Sequence, residues 1–249
     1  MKISFLTTND PLYLPAFFAK VLDRRAEDTQ AVYIVPPLYH RQTALQAAWR
    51  YYCSFGAKVT FGLAWRLTKT RMAGQSISSV CRERKVSFAE VPDVNAAGFV
   101  ESLRRSAPDV LVSVSCPQIF RAPLRAVAPL GILNIHGAIL PHYRGVMPSF
   151  WMMANGEKFA GVSIYFVNEQ IDAGSLCAQQ AFNILSDETL DQFLRRSKNI
   201  AADLLLEVLQ RLETETVTCH PLDLSEGSYY SWPDAEAFKR FRVAGRQFW

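Results

Sequence analysis

The sequence predicts an α/β fold: one mostly parallel sheet flanked by helices, with a helical insertion and a short C-terminal tail. Three observations predict it. Short apolar runs of strand length alternate with stretches whose apolar residues recur at helical spacing. The run Val110–Val114 is predominantly apolar, which is typical of a strand inside a parallel sheet. Hydrophobic residues make up 49% of the 249 residues and charged residues 20%, which suits one large core. We expect a main domain over residues 1–215 and a tail over 216–249.

The first half of the chain alternates strands and helices. Residues 2–6 are predicted as a strand, and no G-x-G-x-x-G follows, so a dinucleotide bound in the Rossmann manner is not expected there. Asp10 is suited to cap a helix that continues to Arg25, with Pro11 in its first position. Further elements are predicted at 31–35 (a strand ended by Pro36 and Pro37), 76–84 (a helix), 86–89 (a strand) and 95–105 (a helix).

The second half supplies the rest of the sheet. Strands are predicted at 110–114, 131–135, 161–167 and 175–181, and a turn over 168–174 joins the last two. The longest amphipathic helix is predicted over 187–212, with Ser186 as its N-cap. A short basic helix begins at about Ala235 and ends near Gly245.

Polar residues stand where the strand at 131–135 ends. Asn134 and His136 are two residues apart, so in an extended chain their side chains point to the same side. Asp172 follows the next strand, and the three converge if both strands end at the same sheet edge. An Asn amide can hold an oxyanion, a His can exchange a proton near neutrality, and an Asp can orient it, which suits acyl transfer. The alternative is a capping Asn, a buried core His and an Asp that shapes a turn.

The sequence around these residues resembles the folate-dependent formyltransferases. The residues that carry the resemblance are Asn134-Ile135-His136, Leu140-Pro141, Tyr143-Arg144-Gly145, Pro148 and Asp172-Ala173-Gly174, with a further match over 108–120. The similarity runs from about Val86 to about Gln180. One position departs: Ala138 stands where the family usually has Ser, which puts loop contacts in doubt rather than the chemistry.

The resemblance implies a Rossmann-like fold and transfer of a formyl group from N10-formyltetrahydrofolate to a primary amine, without a metal. It assigns catalysis to Asn134, His136 and Asp172. A nucleophilic Cys116 is the alternative, although Pro117 follows it and no helix N-terminus is evident there to activate a thiol. The resemblance assigns folate binding to Cys116, Pro117, Gln118, Ile119, Leu140, Pro141, Val167, Asn168, Glu169, Gln170 and Ile171.

The acceptor amine is expected to be a small molecule that bears phosphate, and a nucleotide-linked amino sugar is the first choice. Nucleic acid is not expected, because the tail over 216–249 is too short for the C-terminal β-barrel of methionyl-tRNA formyltransferases. Three alternatives stay open. They are a methionyl-tRNA or glycinamide ribonucleotide type of formyltransferase, a hydrolase that releases formate from formyl-folate, and a non-catalytic folate-binding module.

One segment is unusually basic and aromatic. Residues 41–85 contain nine Lys and Arg and one Glu, so they carry +8, while the whole chain carries +4 and the remainder therefore −4. We interpret residues 43–74 as a helical insertion of two short helices, with breaks at Gly56 and Gly62. The insertion is either a lid packed on the domain or a surface for a phosphate-bearing substrate, a membrane or another subunit.

Cysteine usage and the N-terminus bear on the compartment. The five cysteines are odd in number, widely spaced and without a CxxC pair, which argues against a disulfide framework or a zinc site. The first apolar run is too short for a signal peptide, and the longest uncharged run, 126–143, contains Pro, Gly, Asn and His. We therefore expect a cytoplasmic protein. A homodimer stays open, because Phe248 and Trp249 could serve either a core or a dimer contact.

Overall fold

The computed structural model describes residues 1–36 and 42–249, so the parts predicted for Pro37 and Arg41 lie outside the described residues. The strands are β1 (Ile3–Thr8), β2 (Thr29–Val35), β3 (Ser87–Glu90), β4 (Val110–Val114), β5 (Ile132–His136), β6 (Arg144–Gly145), β7 (Phe159–Phe166), β8 (Ser175–Asn183) and β9 (Tyr229–Tyr230). The helices are α1 (Leu14–Arg25), α2 (Ala44–Met72), α3 (Ile77–Glu83), α4 (Ala97–Ser106), α5 (Ala122–Arg125), α6 (Pro148–Ala154), α7 (Leu190–Glu213) and α8 (Ala235–Val243).

A seven-stranded sheet in the described residues has the order β3-β2-β1-β4-β5-β7-β8. The strands from β3 to β5 are parallel, whereas β7 runs antiparallel to both β5 and β8. A second, small sheet pairs β6 with β9. The predicted α/β class with a mostly parallel sheet is thus confirmed.

Alternate residues of the strands cover the two faces of the large sheet. Phe5 packs on one side in a core that includes Phe18 of α1 and residues of α3 and α7. Its neighbour Leu6 packs on the other side with Leu111 and with Leu103 of α4. This alternation follows from the two-residue period of a strand, and it leaves the helices on both faces of the sheet.

The insertion consists of two helical segments that meet at a kink at Gly56, as predicted, and the two segments together are called α2. Thr43 caps α2 in a capping box with Gln46, and Gly56 alone has a non-helical conformation inside it, with φ at +76°. Gly62 continues the helix, so the break predicted there is wrong. A Cβ at Gly62 would lie 2.9 Å from the ring of Trp249, so the small residue lets the tail approach. None of the helices in residues 1–36 and 42–249 has the length and apolar character needed to cross a bilayer.

The tail packs into a second core beside α2 and α6. The Phe150 ring lies 5.0 Å from that of Phe241, and the Phe55 ring lies 5.1 Å from that of Phe248, measured between centroids. Aromatic pairs at these separations add to the stabilisation that burial provides. Phe248 therefore serves the core of this chain, which was one of the two uses left open for it.

Some helix starts differ from the predicted ones. Oδ1 of Asp10 accepts hydrogen bonds from the N–H groups of Leu12 and Tyr13, at 2.9 and 3.3 Å. Asp10 thus shapes a turn one step before the helix, and α1 begins only at Leu14. Similarly, Thr189 and not Ser186 caps α7, because its side chain accepts from the N–H of Gln192.

Candidate active site

Strand pairing brings the three predicted catalytic residues to one place. Asn134 of β5 is paired with Tyr165 of β7 on one side and with Ser113 of β4 on the other. Directly paired residues of neighbouring strands point to the same face, so these three side chains form a row. Asp172 lies in the turn between β7 and β8, at the end of this row. The convergence of Asn134, His136 and Asp172, which the sequence left conditional, is present in the structure.

A tyrosine joins the amide to the carboxylate. Nδ2 of Asn134 donates a hydrogen bond of 2.9 Å to the Tyr165 hydroxyl, which donates one of 2.7 Å to Oδ1 of Asp172. Burial and the neighbouring Asp172 carboxylate raise the pKa of the Tyr165 phenol, so it keeps its proton at neutral pH. The direction of both hydrogen bonds follows. Because the Tyr165 hydroxyl donates its hydrogen to Asp172, its oxygen accepts the hydrogen bond from Asn134. This fixes which end of the Asn134 amide is the donor.

His136 is oriented by a backbone carbonyl. Its Nε2 lies 2.8 Å from the carbonyl oxygen of Tyr143, and since a carbonyl can only accept, Nε2 carries a hydrogen. Nδ1 lies 3.6 Å from Oδ2 of Asp172, beyond a direct hydrogen bond. Both side chains are buried, at 7% exposure for His136 and 8% for Asp172. Nδ1 is thus the ring nitrogen free to act in the site, with a carboxylate beside it.

Two glycines let the backbone hold Asp172. The N–H of Gly145 donates a hydrogen bond of 2.8 Å to Oδ2 of Asp172. Gly145 has φ at +95°, and a Cβ there would lie 2.3 Å from the carbonyl oxygen of Tyr230. A Cβ at Gly174 would lie 1.7 Å from the carbonyl oxygen of Phe166, so the turn that presents Asp172 closes only on glycine. Asp172 itself has φ at +50°, a strained conformation of the kind that clusters at functional sites.

A cavity of about 640 Å³ opens beside this network. Asn134, His136 and Asp172 line it, together with every predicted folate-binding residue of the loop 116–119 and the turn 167–171. Leu140 and Pro141 do not line it. Leu140 is buried, its N–H donates to Oγ of Ser163 and its carbonyl accepts from Gln179. Leu140 is thus held in the interior by these contacts, and neither Leu140 nor Pro141 lies on the cavity wall.

The two cavity loops are held by their own side chains. Gln118 accepts from the N–H of Val94 at 2.8 Å and donates to the carbonyl of Pro92 at 2.7 Å, which ties its loop to the segment before α4. Asn168 bonds the backbone of Gln170 and Ala173 within its own turn. Burial raises the pKa of the Cys116 thiol to about 12, so the thiolate that a nucleophilic role requires is scarce at neutral pH.

The cavity wall includes residues that the sequence analysis missed. Ser113 is 1% exposed, and its hydroxyl has no hydrogen-bond partner among the described residues. Asp10, Tyr13 and Lys198 also line the cavity, and Nζ of Lys198 donates to Oγ of Ser115 at 2.8 Å. Burial raises the pKa of Asp10 and lowers that of Lys198, although each charge partly offsets the effect on the other. Asp10 was interpreted as a cap, and Lys198 lies in the middle of a long amphipathic helix, so neither carried a sequence signal.

The arrangement has the parts that acyl transfer needs. It combines a fixed amide donor, an imidazole with one free nitrogen, and a buried carboxylate that accepts two hydrogen bonds. Within residues 1–36 and 42–249, no group of three or more His, Cys, Asp and Glu side chains could hold a metal ion.

Comparisons with known proteins show what the chain is similar to. Methionyl-tRNA formyltransferase of Thermotoga maritima is 30% identical over 64% of this chain and 51% of its own length. The chain thus spans about half the length of the curated relatives it matches. Among solved structures, glycinamide ribonucleotide transformylase 1 of Symbiobacterium toebii superposes with a TM-score of 0.61 at 16% identity, over 90% of this chain and 94% of that one. An N-formyltransferase of Helicobacter canadensis was solved in complex with folinic acid and dTDP-3-aminofucose. It superposes with a TM-score of 0.59 at 16% identity, over 93% of this chain and 71% of that one.

A family model also matches the chain, over a defined region. The model of the formyl transferase family matches residues 67–209, which is more than half of the chain. That range contains β4, β5, β7 and the turn of Asp172, and so the whole hydrogen-bonded network. The chain belongs to the formyl transferase family.

Proposed function

We propose that this chain transfers a formyl group from N10-formyltetrahydrofolate to the primary amine of a nucleotide-linked amino sugar. One observation carries the proposal. Asn134, Tyr165 and Asp172 are hydrogen-bonded in series beside His136, on the wall of a cavity of about 640 Å³. Membership of the formyl transferase family supports the reaction class.

The cavity suits a folate as formyl donor. The apolar side chains of Ile119 and Ile171 stand at its rim and are 67% and 45% exposed, which suits contact with a flat ring. Deeper in, the Ser113 hydroxyl is buried without a partner among the described residues, and a polar group of a ligand would satisfy it. The donor would therefore bind between the loop 116–119 and the turn 167–172.

The reaction joins the acceptor nitrogen to the formyl carbon and releases tetrahydrofolate. The acceptor amine, once deprotonated, forms a bond to the formyl carbon, and the carbonyl electron pair moves onto oxygen. Asn134 donates to that oxyanion through the Nδ2 hydrogen that Tyr165 does not use. The attacking nitrogen is now cationic, and its extra proton passes to N10 as the carbonyl re-forms and the bond between the formyl carbon and N10 breaks. The proton that the bound ammonium loses before the attack goes to Asp172, directly or through a water, and from there to solvent.

The tautomer of His136 limits what it can do. Nε2 is committed to the Tyr143 carbonyl, so only Nδ1 can donate to the oxyanion. In that role the ring carries both hydrogens and a positive charge. The Asp172 carboxylate, 3.6 Å away, would stabilise that charge. We therefore propose that His136 donates a hydrogen bond from Nδ1 to the oxyanion, and that Asp172 stabilises the positive charge of the ring.

The acceptor would occupy the part of the cavity lined by Asp10, Tyr13, Ser115 and Lys198. A carboxylate suits an ammonium group and a lysine suits a phosphate. The Helicobacter canadensis protein named above was solved with an amino sugar nucleotide, which supports this acceptor class. The expectation that the basic insertion binds the acceptor phosphate loses its support, because no residue of α2 is among those that line this cavity.

The test is a product assay on the full chain with N10-formyltetrahydrofolate and a panel of nucleotide-linked amino sugars, read by mass spectrometry. We expect one member of the panel to gain a formyl group. Formate release without any amine would instead identify a hydrolase. Formylation of glycinamide ribonucleotide or methionyl-tRNA would change the acceptor but keep the chemistry. Folate binding without turnover of any substrate would indicate a binding module.

A further inference from the structure

Helix α2 exposes a stripe of large apolar side chains. The exposed fractions run from 46% for Tyr52 to 85% for Met72. Before the kink at Gly56 the stripe follows spacings of four and three residues, and after it a spacing of four and then seven. Such spacings place side chains on one side of a helix. The stripe consists of Leu45, Trp49, Tyr52, Phe61, Trp65 and Met72.

The opposite side of α2 is already used. Phe55 and Val59 are buried in the core shared with the tail, and Gly62 lies against Trp249. Arg66 forms an ion pair of 2.8 Å with Asp191 at the start of α7. Both segments of the helix are thus anchored by their inner sides, and the stripe residues of each segment are exposed to solvent.

The charge of α2 has a single sign. The helix contains five of the 27 Lys and Arg of the chain and none of its 23 Asp and Glu, so it carries +5. The rest of the chain, with 22 basic and 23 acidic residues, carries −1. Lys58, Lys69 and Arg71 are exposed and form no ion pair with any described residue. Lys58 lies three positions before Phe61 and Lys69 four after Trp65, so both flank the stripe.

We propose that α2 docks this face on a lipid bilayer that contains anionic lipids, with the helix lying in the plane of the interface. Trp and Tyr prefer the headgroup region, and Leu, Phe and Met reach the acyl boundary. Lysines beside them add electrostatic attraction to anionic headgroups. The proposal goes beyond formyl transfer and does not depend on it.

Two other occupants fit the face less well. In a two-fold dimer, α2 would meet α2 and place two helices of +5 against each other. A single-stranded nucleic acid would need open aromatic faces, but the rings of Trp49 and Tyr52 stack on each other at 5.5 Å. A bilayer suits both the positive charge and the stacked rings, because neither ring has to separate from the other for insertion at the headgroup level.

Docking would bring the cavity close to the membrane. Asp191 holds Arg66 of α2 on one oxygen and accepts a hydrogen bond of 3.1 Å from the Tyr13 hydroxyl on the other. Tyr13 lines the cavity. Two polar contacts therefore separate the docking helix from the cavity wall.

Flotation of the full chain with vesicles tests the proposal. We expect it to float with vesicles in which roughly a third of the lipid is phosphatidylglycerol, the rest being phosphatidylcholine, and much less with phosphatidylcholine alone. Raising the salt concentration from roughly 0.05 M to 0.5 M should release most of the protein from the vesicles. The double variant Trp49→Ser, Trp65→Ser should lower partitioning at least tenfold. Lys58→Gln with Lys69→Gln should lower partitioning roughly twenty-fivefold, at about fivefold per charge.

Matched controls change equally exposed residues elsewhere. Phe159→Ser removes a 65% exposed apolar ring from β7, and Arg24→Gln with Arg105→Gln removes two exposed charges from α1 and α4. These variants should float as the wild type does, and circular dichroism should show that all variants keep the fold. Equal flotation of the tryptophan variant and the wild type would overturn the proposal. So would a tryptophan-dependent dimer in light scattering, or binding to single-stranded nucleic acid, without vesicle binding.

Discussion

The Tyr165 hydroxyl donates a hydrogen bond of 2.7 Å to Oδ1 of Asp172 while it accepts one of 2.9 Å from Nδ2 of Asn134. One side chain thus sets the orientation of the oxyanion donor and satisfies the carboxylate. Tyr165 is 3% exposed and is a positioning residue in the proposed reaction.

Tyr165→Phe should separate positioning from binding. Loss of the hydroxyl frees the Asn134 amide to rotate and leaves Asp172 with one hydrogen bond fewer, so we expect kcat to fall roughly tenfold or more. The KM for formyl-folate should stay near the wild-type value, because Tyr165 is not proposed to hold the folate. Steady-state kinetics measures both, and an unchanged kcat would rule out the positioning role.

Ser113→Ala should have opposite effects on stability and binding. The hydroxyl is buried without a partner among the described residues, so its removal should raise the free energy of unfolding by about 1 kcal/mol. If a ligand satisfies it, affinity should fall by about 1 kcal/mol or more, which is roughly fivefold in Kd. Chemical denaturation and titration with 5-formyltetrahydrofolate test the two effects. A variant that is more stable and binds the ligand as tightly as the wild type would mean that Ser113 makes no hydrogen bond to the ligand.

Two glycine substitutions should move stability in opposite directions. Gly174→Ala places a Cβ against the Phe166 carbonyl, so we expect a loss of about 3 kcal/mol and a displaced Asp172. Gly98→Ala, in α4, meets nothing within 4 Å and should add about 0.5–1 kcal/mol. Thermal unfolding compares them. Equal melting temperatures for the two variants would contradict the close approach at residue 174.

The pH dependence of stability should report on Asp10. Burial raises its folded pKa, so the folded state favours the protonated acid and stability is lost as the pH rises through that pKa. Asp10→Asn avoids the buried charge and keeps an oxygen for the N–H groups of Leu12 and Tyr13. We expect the variant to be more stable than wild type at neutral pH, with a difference that shrinks toward about pH 4. Melting temperatures between roughly pH 4 and 8 test this, with the exposed Asp187→Asn as control. A variant that is less stable at neutral pH would mean that Asp10 is held as a favourable charge.

The sequence predicted the sheet class and the three convergent residues because both follow from local patterns. The strand-ending Asn134 and His136 and the turn with Asp172 are readable from apolar runs and Gly or Pro breaks. Tyr165 and Ser113 were not predicted, because their roles depend on which residues of neighbouring strands are paired. Nothing in the sequence distinguishes Tyr165 or Ser113 from other strand residues.

The insertion also contains a contact that local sequence patterns cannot predict. Its helical character, basic charge and aromatic content could be seen in the sequence, but whether the aromatic residues are packed or exposed could not. The role of each glycine also depends on its surroundings. Gly56 breaks the helix, whereas Gly62 admits Trp249 from the far end of the chain. That contact joins residues nearly 190 positions apart, and no local pattern announces it.

The proposed function requires the network of Asn134, Tyr165, Asp172 and His136 to transfer a formyl group. The measurement is the turnover of N10-formyltetrahydrofolate with the amine acceptor that the product assay selects, for wild type, Asn134→Ala and His136→Ala. Loss of one oxyanion donor should lower kcat roughly a hundredfold or more, with folate binding and melting temperature close to wild type. A His136→Ala variant that is folded, binds folate and turns over like the wild type would contradict the claim.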